Sequence, residues 1–89
     1  MRPIRTVRYS SHFARQYQRL APSIQLQAEN RESSFRKDAF DPLLRTHKLK
    51  GKLAENWAYS VTHHFRIMFR FLQKDEVIFL AIGSHDEVY

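Results

Sequence analysis

Seven side chains in the second half of this 89-residue chain have the types and spacing to act on one substrate: His47, Lys48, Lys50, Lys52, Arg66, Arg70 and His85. Histidine gives and takes protons near neutral pH, its unperturbed pKa being about 6.5. Arginine stays charged, and its planar fork donates two parallel hydrogen bonds to an anion. Two imidazoles and several fixed cations, gathered on what read as neighbouring strands, suit acid–base chemistry on a phosphodiester. His63 and His64 suit a metal poorly. Adjacent strand residues face opposite ways, no third ligand is near, and the chain has no cysteine.

The elements that must position these residues follow from periodicity. Ile4 to Tyr9 is β-rich and predicts a strand. Ser10 or Ser11 offers an N-cap, and Phe13, Tyr17 and Leu20 recur at helical spacing. Ala21-Pro22-Ser23 breaks that helix, and Pro22 suits the first turn of a second one running from about Ser23 to Lys37. Ile24, Ala28, Arg31 and Phe35 form its stripe, so the two helices make an antiparallel hairpin. Asp38 to Arg45 connects, with Pro42 excluding a central strand.

The remainder alternates at period two. Trp57, Tyr59 and Val61 share one parity; Phe65, Ile67, Phe69 and Phe71 share another run. Turns are expected at Thr62-His63-His64 and at Lys74-Asp75, before a strand over Glu76–Ile82. A short strand is expected at His47–Leu49. The order β-α-α-β-β-β predicts an α+β fold, an antiparallel-rich twisted sheet with the helix hairpin packed on one face. Arg66, Met68 and Arg70 then point away from the helices. Ala58, Ser60 and Thr62 leave a shallow concavity beside them.

Each candidate has a structural use as well. Arg66 is also placed to pair with an acid such as Glu76. His47 shares parity with Leu49 and Leu53, which predicts a core-facing ring unless a bulge or turn intervenes. Lys48, Lys50 and Lys52 alternate on the opposite parity, either guarding an edge strand or tracking phosphates. Trp57 and Tyr59 have the aromatic faces to stack on bases, but their parity favours core packing.

Composition bounds the rest. Residues 1–89 make one domain, burying roughly 60–65% of its unfolded surface. No disulfide or thiolate site is available. No run approaches the roughly 20 apolar residues of a membrane span, so a soluble, cytoplasmic protein is expected. Fifteen Lys+Arg against nine Asp+Glu give +6, which favours polyanionic partners such as nucleic acid or an acidic protein.

The ordered set HKLKGKL, then Trp57 nine positions before Arg66, an aromatic-rich strand after it and a closing IGSHD resembles the RelE/ParE superfamily of bacterial toxin–antitoxin modules. The resemblance covers nearly the whole chain in element order and is densest from His47 to His85. It implies one of two activities. RelE-like members are ribonucleases that enter the ribosomal A site and cut mRNA; ParE-like members inhibit DNA gyrase without catalysis. Both are neutralised by a cognate antitoxin, for which an acidic segment is expected. By the same resemblance Arg66 matches the arginine that contacts the scissile phosphate, and His85 the general acid. His47 sits at the general-base position and Lys50 near the active site. Lys48, Lys52 and Arg70 are taken as further substrate contacts. No metal or small-molecule cofactor is implied. Several relatives carry tyrosine directly after the late histidine, where this chain has Asp86, with Tyr89 three residues on. A degenerate member that binds only antitoxin or RNA is the remaining alternative.

Overall fold

Ser10 starts the first helix by accepting a hydrogen bond from the Phe13 amide at 3.0 Å, and Pro22 starts the second, where its missing N–H is harmless. The structure, a computed structural model, describes residues 1–88, with backbone alone at Leu53, Asp86 and Glu87. Tyr89 and the Asp86 side chain, where the sequence departs from its resemblance, lie outside the described residues.

The elements are β1 (Thr6–Tyr9), α1 (Ser11–Gln18), α2 (Pro22–Lys37), β2 (His47–Lys48), β3 (Trp57–Ser60), β4 (Phe65–Gln73), β5 (Glu76–Ser84) and α3 (His85–Val88). Short 3-10 turns occupy Pro42–Leu44 and Gly51–Leu53. One sheet has the order β1-β5-β4-β3-β2, with β1 parallel to β5 and every other pair antiparallel. A parallel neighbour needs a long crossover, and α1 and α2 supply it. This is the α+β architecture expected from the alternation of patterns.

The helix-facing side of the sheet holds the main core. Phe35 of α2 is its centre. It stacks on Tyr59 with centroids 4.7 Å apart and meets Phe69 and Phe79 edge-on at 4.9 and 5.6 Å. Such pairs add to the area each ring buries. The chain's N-terminal segment is tied to the end of α2. Ile4 N–H donates to Arg36 O, and the Asp38 carboxylate accepts from the amides of Arg2 and Phe40. Those two amides hold the Asp38 carboxyl below the ordinary carboxylate value of 3.8.

A bulge in β5 decides which side its C-terminal half presents. Phe69 opposes Phe79 and Met68 opposes Ala81, so Leu80 is the extra residue. Before the bulge the odd residues Val77 and Phe79 enter the core; after it the even residue Ile82 does. The helix α1 satisfies backbone groups there. Ser10 Oγ donates to Leu80 O at 3.1 Å, and Gln16 Oε1 accepts from Ile82 N–H at 2.9 Å. Ala81 and Gly83 therefore face away from the helices, as Arg66 does.

That far side is less open than the small residues suggest. Ala58, Met68 and Ala81 form a row across β3, β4 and β5. Leu49, Ala58, Ala81 and Val88 are buried yet lie outside the main cluster. The short helix α3 packs on β4 and β5 at this side. The expected concavity over Ala58 is thus filled, and the space that remains begins at Ser60.

Candidate functional site

Arg31 lies four residues before Phe35 on the same stripe of α2. The buried Phe35 ring fixes the helix and so carries Arg31 to the turn after β3. There its Nε donates to Val61 O at 3.3 Å. The turn is closed by Val61 N–H donating to Phe65 O at 2.8 Å. Thr62 Oγ1 accepts from the amides of His64 and Phe65, both at 3.1 Å. Thr62 and His63 are thereby presented beside Arg31.

A second corner comes from the connector. Asp41 caps the 3-10 turn by accepting from Leu43 N–H at 2.9 Å. Arg45 closes that turn in the left-handed region, at φ 53 and ψ 38, with its N–H donating to Pro42 O. A non-glycine residue there costs on the order of 1–3 kcal/mol. The Arg45 carbonyl lies 3.0 Å from His47 Nδ1. A carbonyl only accepts, so Nδ1 carries the proton and the lone pair of the neutral ring sits on Nε2. That is the tautomer a general base requires.

His47 is not core-facing, contrary to its parity with Leu49 and Leu53. The strand β2 has only two residues, His47 is exposed and it pairs with Ala58 on the side that carries Arg66. Leu49, on the same parity, is buried but lies outside the main core.

Arg66 completes the arrangement. It stands opposite Ser60 on β3 and Gly83 on β5. Its Nε is buried and has no hydrogen-bond partner among the described residues. The sequence alternative of pairing with Glu76 fails, since that carboxylate binds Arg8. These elements enclose a cleft of about 410 Å³. Arg31, Arg45, Arg66, His47 and His63 line it, with Leu43, Ser60, Val61 and Thr62 between them. Three arginines, two histidines and, among the described residues, no carboxylate line one concavity. Such a site favours anions, and phosphate above others, because the arginine fork matches its oxygens.

The structure brings together His47 and Arg66 of the sequence candidates. His85 opens α3 two residues beyond Gly83 and is exposed, outside the cleft lining. Lys48 pairs with Trp57 and so faces the opposite side from His47. Lys50, Lys52 and Lys48 do not alternate along one strand, because β2 ends at Lys48 and a 3-10 turn follows at Gly51. Arg70 is exposed, and its Nε donates to Asn56 Oδ1 at 3.0 Å, away from the cleft. Arg31, Arg45 and His63 are the residues that sequence reasoning missed. One signal was legible: a lone arginine in the apolar stripe of α2.

A larger groove, about 620 Å³, lies between α1 and α2 over Phe13, Ala28 and Ile67. Its two carboxylates, two tyrosine hydroxyls and one guanidinium are already committed to one another. Tyr9 donates to Glu32, Tyr17 to Glu29, and Arg36 binds Glu32. Burial first, then these carboxylates, push both tyrosine hydroxyls above their usual range. Two carboxylates make it a poor place for a polyanion, so size does not identify the site here; charge does.

No protein-family model and no curated protein sequence matches the chain. Solved structures do. The YoeB/ParE toxin from Agrobacterium tumefaciens superposes with a TM-score of 0.76 at 16% identity, over 91% of this chain and 99% of that one. The E. coli DinJ-YafQ toxin–antitoxin complex gives 0.75 at 14% identity, over 96% and 97%. The toxin–antitoxin complex RelBE2 from Mycobacterium tuberculosis gives 0.69 at 19% identity, over 96% and 95%. At these identities the likeness is one of fold, and the fold is the RelE/ParE-like toxin fold.

Proposed function

We propose that this RelE/ParE-like fold serves here as the toxin of a type II toxin–antitoxin module, cutting mRNA on the ribosome in the cytoplasm without a metal. The observation that carries the reading is the cleft: a buried, unpartnered Arg66 Nε beside a histidine whose tautomer is set for base catalysis. His47 Nε2 takes the proton from a ribose 2′-OH, and that oxygen attacks the adjacent phosphorus. Arg66 stabilises the charged phosphorane. An acid protonates the departing 5′-oxygen, a role we assign to His85, with Lys50 assisting. A preorganised donor aimed at developing charge is commonly worth about 2.7–4 kcal/mol.

The partner follows from the same charge. An antitoxin with an acidic segment, disordered until it binds, would cover the cationic cleft and exclude RNA.

Primer extension on mRNA after induced expression tests the reading. The parent should give codon-linked cuts. Arg66→Gln and His47→Gln should each reduce them by about 10²–10³-fold. His85→Gln and His63→Gln, measured side by side, assign the acid: loss in the second alone moves the role to the histidine inside the cleft. Inhibited DNA supercoiling with intact mRNA would replace this reading by the gyrase-directed one.

A further inference from the structure

The cleft has more cations than one phosphate needs. Arg66 comes from the sheet, Arg31 from α2 and Arg45 from the connector, three elements with separate local reasons for their positions. Its volume, about 410 Å³, is well over what a single phosphate group fills. We propose that the cleft is a two-phosphate subsite for one nucleotide step of an RNA strand. Arg66 takes the scissile phosphate, and Arg31 with Arg45 takes the neighbouring one. The inference rests on the ribonuclease reading for the word scissile, but the two-phosphate geometry stands apart from cleavage.

Three observations support it. Arg66 is half-buried on the cleft wall, and its Nε–H is buried without a partner among the described residues, a desolvated donor that carries a cost. Arg31 has its Nε spent on Val61 O, which fixes the guanidinium plane and leaves its terminal NH2 groups as the donors for a ligand. Arg45 is held in a left-handed conformation that a side-chain residue adopts at a cost. That conformation does two things: it turns the carbonyl to His47 Nδ1, and it leaves the guanidinium in the cleft wall. Residues in such conformations concentrate at functional sites. Among the described residues, no carboxylate in the lining competes for any of the three. The ribose between two phosphates is then held where the His47 ring also lines the wall.

Arg45 also supplies a clean test. Glycine adopts φ 53 without steric cost, so Arg45→Gly removes the guanidinium while relieving the backbone. The purified full-length chain is titrated with adenosine 3′,5′-bisphosphate, adenosine 5′-monophosphate and inorganic phosphate by calorimetry. The parent should bind the bisphosphate about tenfold more tightly than the monophosphate, as expected for one more charge-assisted contact. Arg45→Gly and Arg31→Gln should bring that ratio close to one. Arg66→Gln should weaken both ligands. Thermal melting of Arg45→Gly should be no lower than the parent's. Equal affinity of the parent for the two nucleotides, or an unchanged ratio in Arg45→Gly, would overturn the proposal. The two claims fail separately: cuts in mRNA with a ratio of one remove the second phosphate subsite alone, and a tenfold ratio with no cuts removes the ribonuclease reading alone.

Discussion

Single residues show how this small chain uses polar groups it cannot easily solvate. Tyr59 is the clearest structural case. Its ring packs on Phe35 and is fully buried, and its hydroxyl has no hydrogen-bond partner among the described residues. Burial above all, with the nearby Glu32 charge, pushes the hydroxyl's pKa well above its ordinary 10.0, so it stays neutral. A desolvated, unpaired polar group costs about 1–3 kcal/mol. Tyr59→Phe keeps the ring and removes the cost. Urea unfolding should show the variant more stable by about 1 kcal/mol; a less stable variant would mean the hydroxyl finds a partner in solution. Arg66 is the contrasting case. It too leaves a buried atom unpaired, but on the wall of a cationic cleft rather than in the main core. The Tyr59 orphan sits in the core, whereas the Arg66 Nε–H is buried beside a cleft that the same residue lines.

At the scale of elements, the bulge in β5 is what lets one strand serve both sides of the sheet. Its backbone is supported from α1, where Gln16 accepts from Ile82 N–H. Gln16→Ala leaves that amide unsatisfied in a partly buried setting, which should cost about 1–3 kcal/mol. Gln18→Ala, on the exposed side of the same helix, should change stability by less than about 0.5 kcal/mol. Equal effects in chemical unfolding would show that the Gln16 contact does nothing for the fold. The bulge also explains what could be read from sequence. Period two reveals β3 and β4 because Trp57, Tyr59, Ile67 and Phe69 alternate without interruption. The helix hairpin is legible from Ser10, Pro22 and the Phe35 stripe. An inserted residue inside an unbroken apolar run, Val77 to Ile82, leaves no mark on composition, so the change of side at Leu80 stays hidden. Regular alternation would have put His85 with Phe79, toward the helices. The site was half legible for a similar reason. His47 and Arg66 lie in strands whose partners can be inferred. Arg45 depends on a left-handed corner and Arg31 on where a helix docks, and both are products of tertiary packing.

At the scale of the whole molecule, charge is what distinguishes the two concavities and sets how the chain meets its partners. The net +6 draws polyanions over the range that salt permits. The carboxylates Glu29 and Glu32 are gathered at the groove between the helices, and the cleft at Arg66 has none among the described residues. Steering and seating are therefore different quantities and respond differently to salt. Each phosphate of a single strand that is neutralised contributes about −0.7 to the slope of log affinity against log salt. A short oligoribonucleotide seated in the cleft through two phosphates should give a slope near −1.4 by fluorescence anisotropy, and Arg45→Gly should bring it toward −0.7. The exposed Lys48, Lys50 and Lys52 do not line the cleft, so on the proposed reading their phosphate contacts would lie on a longer RNA. With an oligoribonucleotide long enough to pass them, the slope should steepen by about 0.7 for every phosphate they engage, and their replacement by glutamine should restore the short ligand's value. A slope that does not change with RNA length would confine recognition to the cleft and leave Lys48 as the guard of a short edge strand.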